Sequence, residues 1–206
     1  MSNMQPKQVY IVRHGNTFDK GDVVTRVGAR TDLPLSTSGR LQAQALGAHF
    51  KNISFGAVYS SPLLRTLQTA ETIIASQPHK LSLQITDFLR EIDYGPDENK
   101  PESDVIARLG QAALKQWDDA ALVPAGWSVD VESIIASWVG FLDSLAQSPE
   151  RDPVLVVTSN GVARFLFDAV SEPLPKGIQR KLATAAFGRI TLLEGRSTIE
   201  SWNLRA

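Results

Sequence analysis

The sequence predicts an α/β fold, a three-layer sandwich with a mainly parallel central sheet flanked by helices. Three observations lead to it. Apolar, β-branched runs at residues 9–12, 57–59 and 154–157 read as short buried strands. Each run ends in a polar turn and gives way to helical periodicity, the alternation that builds parallel sheets. The tail then offers two more strands, 186–193 and 198–202, joined around Gly195, so a closing hairpin should add an antiparallel edge. A chain of 206 residues suits one domain, residues 1–206, with one modest insertion. That insertion, a partly helical cap, is expected at about 94–130.

In order, the first strand spans residues 8–12 and leads into a polar stretch through Leu35. Pro34 keeps its predecessor extended or turning, and Ser36, Thr37 or Ser38 can cap a helix over 38–50. Leu41, Ala45, Leu46 and His49 follow its spacing, and His49 suits the carboxyl end of the dipole. The strand at 57–59 is followed by Ser60-Ser61-Pro62 and a helix to about residue 76. Leu63, Leu67, Ala70 and Ile74 would face the sheet, leaving Arg65 off that stripe. His79 falls in a polar linker, and residues 81–85 alternate as a strand should. Helical periodicity resumes over 103–120, stops at Pro124 and Gly126, and returns over 131–147. Trp117, Trp127 and Trp138 suit a local apolar cluster. The strand at 154–157 ends in Thr158-Ser159-Asn160-Gly161, and 162–169 reads as helix.

Composition narrows the function. A net charge of −1, with no extended basic stripe or aromatic interleaving, argues against nucleic acid. No run is long enough to span a membrane, and residues 1–7 lack the apolar core of a secretory signal, so a cytoplasmic protein is expected. Cysteine is absent, which excludes disulfides and thiolate chemistry, and three histidines (His14, His49 and His79) are too few for a histidine-rich metal centre. No metal and no cofactor are expected. A homodimer is compatible with the sequence.

The stretch around which the chain is organised is 9–17, V-Y-I-V-R-H-G-N-T. A buried strand stops at Arg13 and His14, where the backbone must bend. Gly15 permits the bend and close backbone approach to a ligand, and Asn16 and Thr17 add short donors. A cation, an imidazole and two small polar groups within five residues suit an oxyanion; an ordinary strand-to-loop turn carrying a histidine is the plainer reading. Residues 157–162 form a second strand, turn and helix able to aim backbone donors at an anion. There Ser159 or Asn160 either binds phosphate or caps the helix.

Four blocks in order, Arg13-His14-Gly15-Asn16-Thr17, Ser60-Ser61-Pro62-Leu63-Leu64-Arg65-Thr66, Leu89-Arg90-Glu91-Ile92-Asp93-Tyr94-Gly95 and Val156-Val157-Thr158-Ser159-Asn160-Gly161-Val162, resemble the histidine phosphatase superfamily. The likeness is to its phosphoglycerate mutase-like branch and runs from Val9 to Asn203. The resemblance implies His14 as the nucleophile, transiently phosphorylated, and Glu91 as the general acid. Arg13, Asn16 and Arg65 would bind phosphate. The last block departs from the family, which has a second histidine where this chain has Ser159; the Ser159 hydroxyl and nearby backbone amides would then reach the phosphate, and Asn160 could also donate. Thr17, Arg26, Arg30 and Asn160 are weaker substrate-binding candidates. Lys100 and Arg108 are further candidates on the cap side, and Asp93 is a weaker substitute for Glu91.

The chemistry fits. A neutral imidazole offers one lone pair while its other nitrogen donates to a backbone carbonyl, and two guanidinium groups oppose charge on the transferring phosphoryl oxygens. A carboxyl beside an anionic substrate has its protonated form favoured, which suits an acid. The expected activity is a metal-independent phosphatase acting on a small phosphorylated molecule, with inorganic phosphate as product. A non-catalytic phosphate-ligand binding protein is the alternative, and a phosphoglycerate mutase the weaker enzyme alternative.

Overall fold

The computed structural model describes residues 6–149 and 153–206. The stretch read above for a signal sequence lies, up to Gln5, outside them. In chain order the elements are β1 (Lys7–Arg13), α1 (Thr37–Phe50), β2 (Ala57–Ser60), α2 (Leu64–Ala75), β3 (Leu83–Ile85), α3 (Glu102–Leu109), α4 (Gln111–Ala120), α5 (Val131–Gln147), β4 (Val154–Thr158), α6 (Asn160–Ala163), α7 (Leu166–Ala169), β5 (Ala186–Leu193) and β6 (Arg196–Arg205). Short 3-10 turns occupy Asp87–Leu89 and Gly95–Asp97.

Among the described residues the strands form one six-stranded sheet in the order β3-β2-β4-β1-β5-β6. The pairs β2–β3, β2–β4 and β1–β4 are parallel, and the closing hairpin joins antiparallel through β5 against β1. Every residue of β4 is buried. Its alternate side chains enter opposite cores: Val154 and Val156 on one face, Leu155 and Val157 on the other. A strand buried on both faces reads as an unbroken apolar run because each side must meet a helix layer. Leu46 and Phe50 of α1 with Ala70 and Ile73 of α2 fill one core; Trp138, Leu142 and Leu145 of α5 fill the other. Each fully buried Leu, Ile or Val contributes about 1.5–3 kcal/mol relative to exposure, so this double burial is what holds β1 and β4 at the centre.

Several element-level expectations need correction. The helix expected over 103–120 is two helices, because Gly110 at φ +80° breaks it between α3 and α4. The helix expected over 162–169 is likewise split, into α6 and α7. The buried side of α1 is Gly39, Ala43, Leu46, Gly47 and Phe50; Leu41 and Ala45 face solvent, and so does His49, which lies beside the Phe50 and Phe187 rings. The buried side of α2 is Arg65, Thr66, Thr69, Ala70 and Ile73. Arg65 therefore lies on the buried face, not off it. The tryptophans share one apolar cluster, but Trp117 meets Trp127 edge-on at 5.3 Å while Trp138 packs on Phe88 and Phe141.

Candidate active site

Beyond the carboxyl ends of β1 and β4 opens a cleft of about 610 Å³, where open α/β sheets bind their ligands. Arg13 is the last residue of β1, paired in register with Thr158 at the end of β4. His14 follows, and its amide donates to the Thr158 carbonyl at 3.2 Å. Its Nδ1 lies 2.7 Å from the Gly15 carbonyl. A carbonyl only accepts, so the ring proton sits on Nδ1 and Nε2 carries the lone pair. The Arg65 Nε donates to that Nε2 at 3.2 Å. Burial, then Arg65, then Arg13 hold the His14 ring well below the ordinary histidine value, against a smaller upward pull from the Gly15 bond.

Arg65 is 0% exposed. Its Nη1 donates to the Thr31 carbonyl at 2.9 Å and its Nη2 to the Gly28 carbonyl at 3.2 Å. Arg13 donates through Nη1 to the Leu182 carbonyl at 2.8 Å, while its buried Nε has no hydrogen-bond partner among the described residues. Burial works against both guanidinium charges, and the Glu91 carboxylate works for them. Glu91 lines the cleft with its carboxylate braced at both oxygens, Oε1 by the Ile92 amide at 3.0 Å and Oε2 by the Gly161 amide at 3.3 Å. That approach needs glycine, since a Cβ on Gly161 would lie 2.2 Å from Oε1.

Gly15 has a packing use that the sequence did not suggest. A Cβ there would lie 2.5 Å from the Gly39 carbonyl, so Gly15 lets α1 come close. Asn16 and Thr17 line the cleft. The Asn16 amide nitrogen Nδ2 donates to Ser38 Oγ at 3.3 Å, with its second hydrogen left over. Ser159 stands at the N-terminal boundary of α6 without a side-chain capping bond, and its fully buried Oγ has no partner among the described residues. The helix-cap reading of Ser159 is therefore overturned. Asn160 lines the cleft, but its Oδ1 accepts from the Leu182 amide at 2.8 Å. Arg26 lines the cleft too, ion-paired with Glu102 and near the Tyr94 and Trp127 rings. Arg30 does not reach it: its guanidinium forms a two-bonded pair with Asp93 at 2.9 and 3.0 Å. That pair also commits Asp93, the substitute acid. Arg108 pairs with Asp97.

Sequence reasoning did not single out Arg164, which packs on the cleft residue Trp117 without itself lining the cleft. It is 0% exposed, lies over the Trp117 ring at 3.8 Å and donates to the Trp117 carbonyl. A single cation within the apolar stretch 162–167 was the available signal. The cleft wall takes Tyr94, Leu114, Trp117 and Asp118, with Asp118 paired to Lys181 at 2.7 Å. Burial, reinforced by Glu91, pushes the Tyr94 hydroxyl well above the usual phenol range. Among the described residues no group of three or more His, Cys, Asp or Glu could hold a metal ion, and no helix is long and apolar enough to cross a membrane.

The sequence from residue 9 to residue 205 matches the family model of the histidine phosphatase superfamily (branch 1). The chain belongs to that superfamily. It is 26% identical over 198 residues to the uncharacterized phosphatase PhoE of Bacillus subtilis, covering 96% of this chain and 95% of that one. It is 32% identical over 178 residues to a probable phosphoglycerate mutase, GpmB, of Proteus mirabilis, covering 85% and 79%. A mycobacterial glucosyl-3-phosphoglycerate phosphatase shares the fold, with a TM-score of 0.76 at 22% identity over 97% of this chain and 99% of that one. A histidine phosphatase with relatives of this kind is a phosphoric monoester hydrolase.

Proposed function

We propose that this histidine phosphatase hydrolyses a small phosphomonoester, without a metal ion, through a phosphohistidine on His14. The observation that carries the reading is the tether from Nδ1 to the Gly15 carbonyl, which leaves the Nε2 lone pair beside Arg65. The arriving phosphate is a better acceptor than an imidazole nitrogen. It draws the Arg65 guanidinium onto its oxygens and frees the lone pair. Nε2 then attacks phosphorus as the phosphorus–oxygen bond to the leaving group breaks. Glu91, protonated, gives its proton to the departing oxygen. In the second half Glu91 takes a proton from water, water attacks phosphorus, the phosphorus–nitrogen bond breaks and inorganic phosphate leaves.

Arg13, Arg65 and Asn16 are the phosphate ligands in this reading. Ser159 takes the place of the family's second histidine, and its hydroxyl, without a partner among the described residues, supports a donor role there. The segment 94–130 acts as a cap; Tyr94, Glu102, Leu114, Trp117 and Asp118 on the cleft wall support that role. Arg26 and Thr17 are substrate contacts in the same reading, and Arg30 is not.

The test is phosphate release from a panel of small phosphomonoesters in the presence of a chelator, with His14→Ala alongside. The native protein should release phosphate, and rapid quenching should trap an acid-labile, alkali-stable phosphoryl group; the variant should do neither. The probable mutase among the relatives favours a second reading. It would show as transfer of phosphate between two positions of one substrate faster than release to water. Ligand binding with no trapped phosphoryl group would indicate a binding protein instead.

A further inference from the structure

The loop that holds Arg65 has its own anchor. The Thr31 and Gly28 carbonyls accept from the two terminal nitrogens of Arg65, so the conformation of residues 28–31 fixes where the guanidinium lies. One side chain determines that conformation. Glu98 Oε1 accepts from the Gly28 amide at 3.0 Å, the Arg30 amide at 3.0 Å and the Thr31 hydroxyl at 2.8 Å. Its Oε2 accepts from the Tyr94 amide at 3.1 Å. The four bonds converge on one carboxylate from two segments far apart in sequence. The packing leaves little slack: a Cβ on Gly28 would lie 2.2 Å from Glu98 Oε2 and 2.7 Å from the Ile92 carbonyl. Backbone bonds continue the seam, from Ala29 to Ile92 at 3.0 Å, Arg26 to Lys100 at 2.9 Å and Asn99 to Arg26 at 2.8 Å. The second segment begins just after Glu91.

We infer that Glu98 is a positioning residue, which ties the loop carrying Arg65's acceptors to the segment carrying Glu91 and so sets the Arg65 guanidinium against His14 Nε2 and the phosphate. It touches neither substrate nor the reacting atoms. The inference rests on the reading of Arg65 as a phosphate ligand. A carboxylate suits the task because both of its oxygens only accept and its charge strengthens each bond, so one side chain can gather three donors on Oε1 and a fourth on Oε2. Misplacing a binding group by about 1 Å can cost on the order of 100-fold in rate.

The sign of one measurement separates positioning from simple charge. Deleting a nearby negative charge makes protonation of His14 harder. Letting Arg65 drift away makes it easier, because Arg65 is the nearest cation opposing it. The experiment follows the His14 ring by NMR against pH and titrates inorganic phosphate, in the native protein, Glu98→Ala and Glu98→Gln. In Glu98→Ala the His14 midpoint should rise and phosphate affinity should fall about tenfold or more. Glu98→Gln, which keeps an oxygen for three of the four donors, should stay near the native values. A folded Glu98→Ala whose His14 midpoint falls or stays, with native phosphate affinity, overturns the inference. If Glu98→Ala does not fold, Glu98→Asp carries the test, since it keeps the charge but is too short for all four donors. It should raise the midpoint, and an unchanged midpoint overturns the inference. A native protein that binds no phosphate would sink the reading of Arg65 and leave the His14 titration to judge Glu98.

Discussion

His14 carries two properties in one ring, a fixed tautomer and a depressed proton affinity, and both come from neighbours. The Gly15 carbonyl fixes the first, and burial with Arg65 and Arg13 fixes the second. The ring is therefore neutral well below its ordinary value of 6.5. The acid limb of kcat/KM should accordingly fall below that value, and Arg65→Ala should move it upward; a pH–rate profile of the two proteins checks this. Stability should respond as well. Between the unfolded value near 6.5 and the lower folded one, the unfolded chain binds a proton that the folded chain does not. Acidification through that window therefore destabilises the native protein. His14→Ala should lose that slope in denaturant titrations across the same pH range. Glu91→Gln keeps the side-chain oxygen that receives the Ile92 amide but, in the proposed mechanism, removes the proton donor. It should lower kcat by about 10²–10⁴-fold for esters with poor leaving groups and far less for good ones, read from a leaving-group series.

At the scale of elements, hydrophobic spacing located the principal helices and strands but read the inner faces of α1 and α2 only in part: Leu46, Leu63 and Ala70 are buried as expected, while Leu41, Ala45 and His49 face solvent and Arg65 lies inside. The inner sides of α1 and α2 are rich in small or polar residues, Gly39, Ala43 and Gly47 on one and Arg65, Thr66 and Thr69 on the other. Small residues let the two helices approach; a Cβ on Gly47 would already lie 3.2 Å from Ser76 Oγ. A periodicity read from large apolar side chains cannot see such an interface. Local signals did better at the ends. Ser36 caps α1, its Oγ accepting from the Gly39 amide at 3.1 Å. Ser36→Ala should cost about 0.5–2 kcal/mol in denaturant unfolding. Gly110, at φ +80° and ψ 153°, divides α3 from α4 in a conformation open to glycine. Gly110→Ala should cost about 1–3 kcal/mol although nothing lies within 4 Å of the added carbon, because the strain is in the backbone.

For the whole molecule, β1 and β4 are both the centre of the core and the floor of the cleft. Ile11→Ala should cost about 2–5 kcal/mol in unfolding free energy while leaving kcat per folded molecule close to native, which denaturant titration and active-site counting would separate. The sequence by itself determined the α/β class, the strand that delivers Arg13 and His14, and the family, because strand-then-turn patterns and short motifs are local and survive as text. Only the tertiary structure decided that Arg65 is buried with its Nε on His14, that Arg30 is spent on Asp93, and that Glu98 joins two distant loops. It also decided that the Ser159 hydroxyl has no partner among the described residues. Those outcomes depend on which donors and acceptors meet across tens of residues, and such pairings are set by packing, which no window of sequence contains.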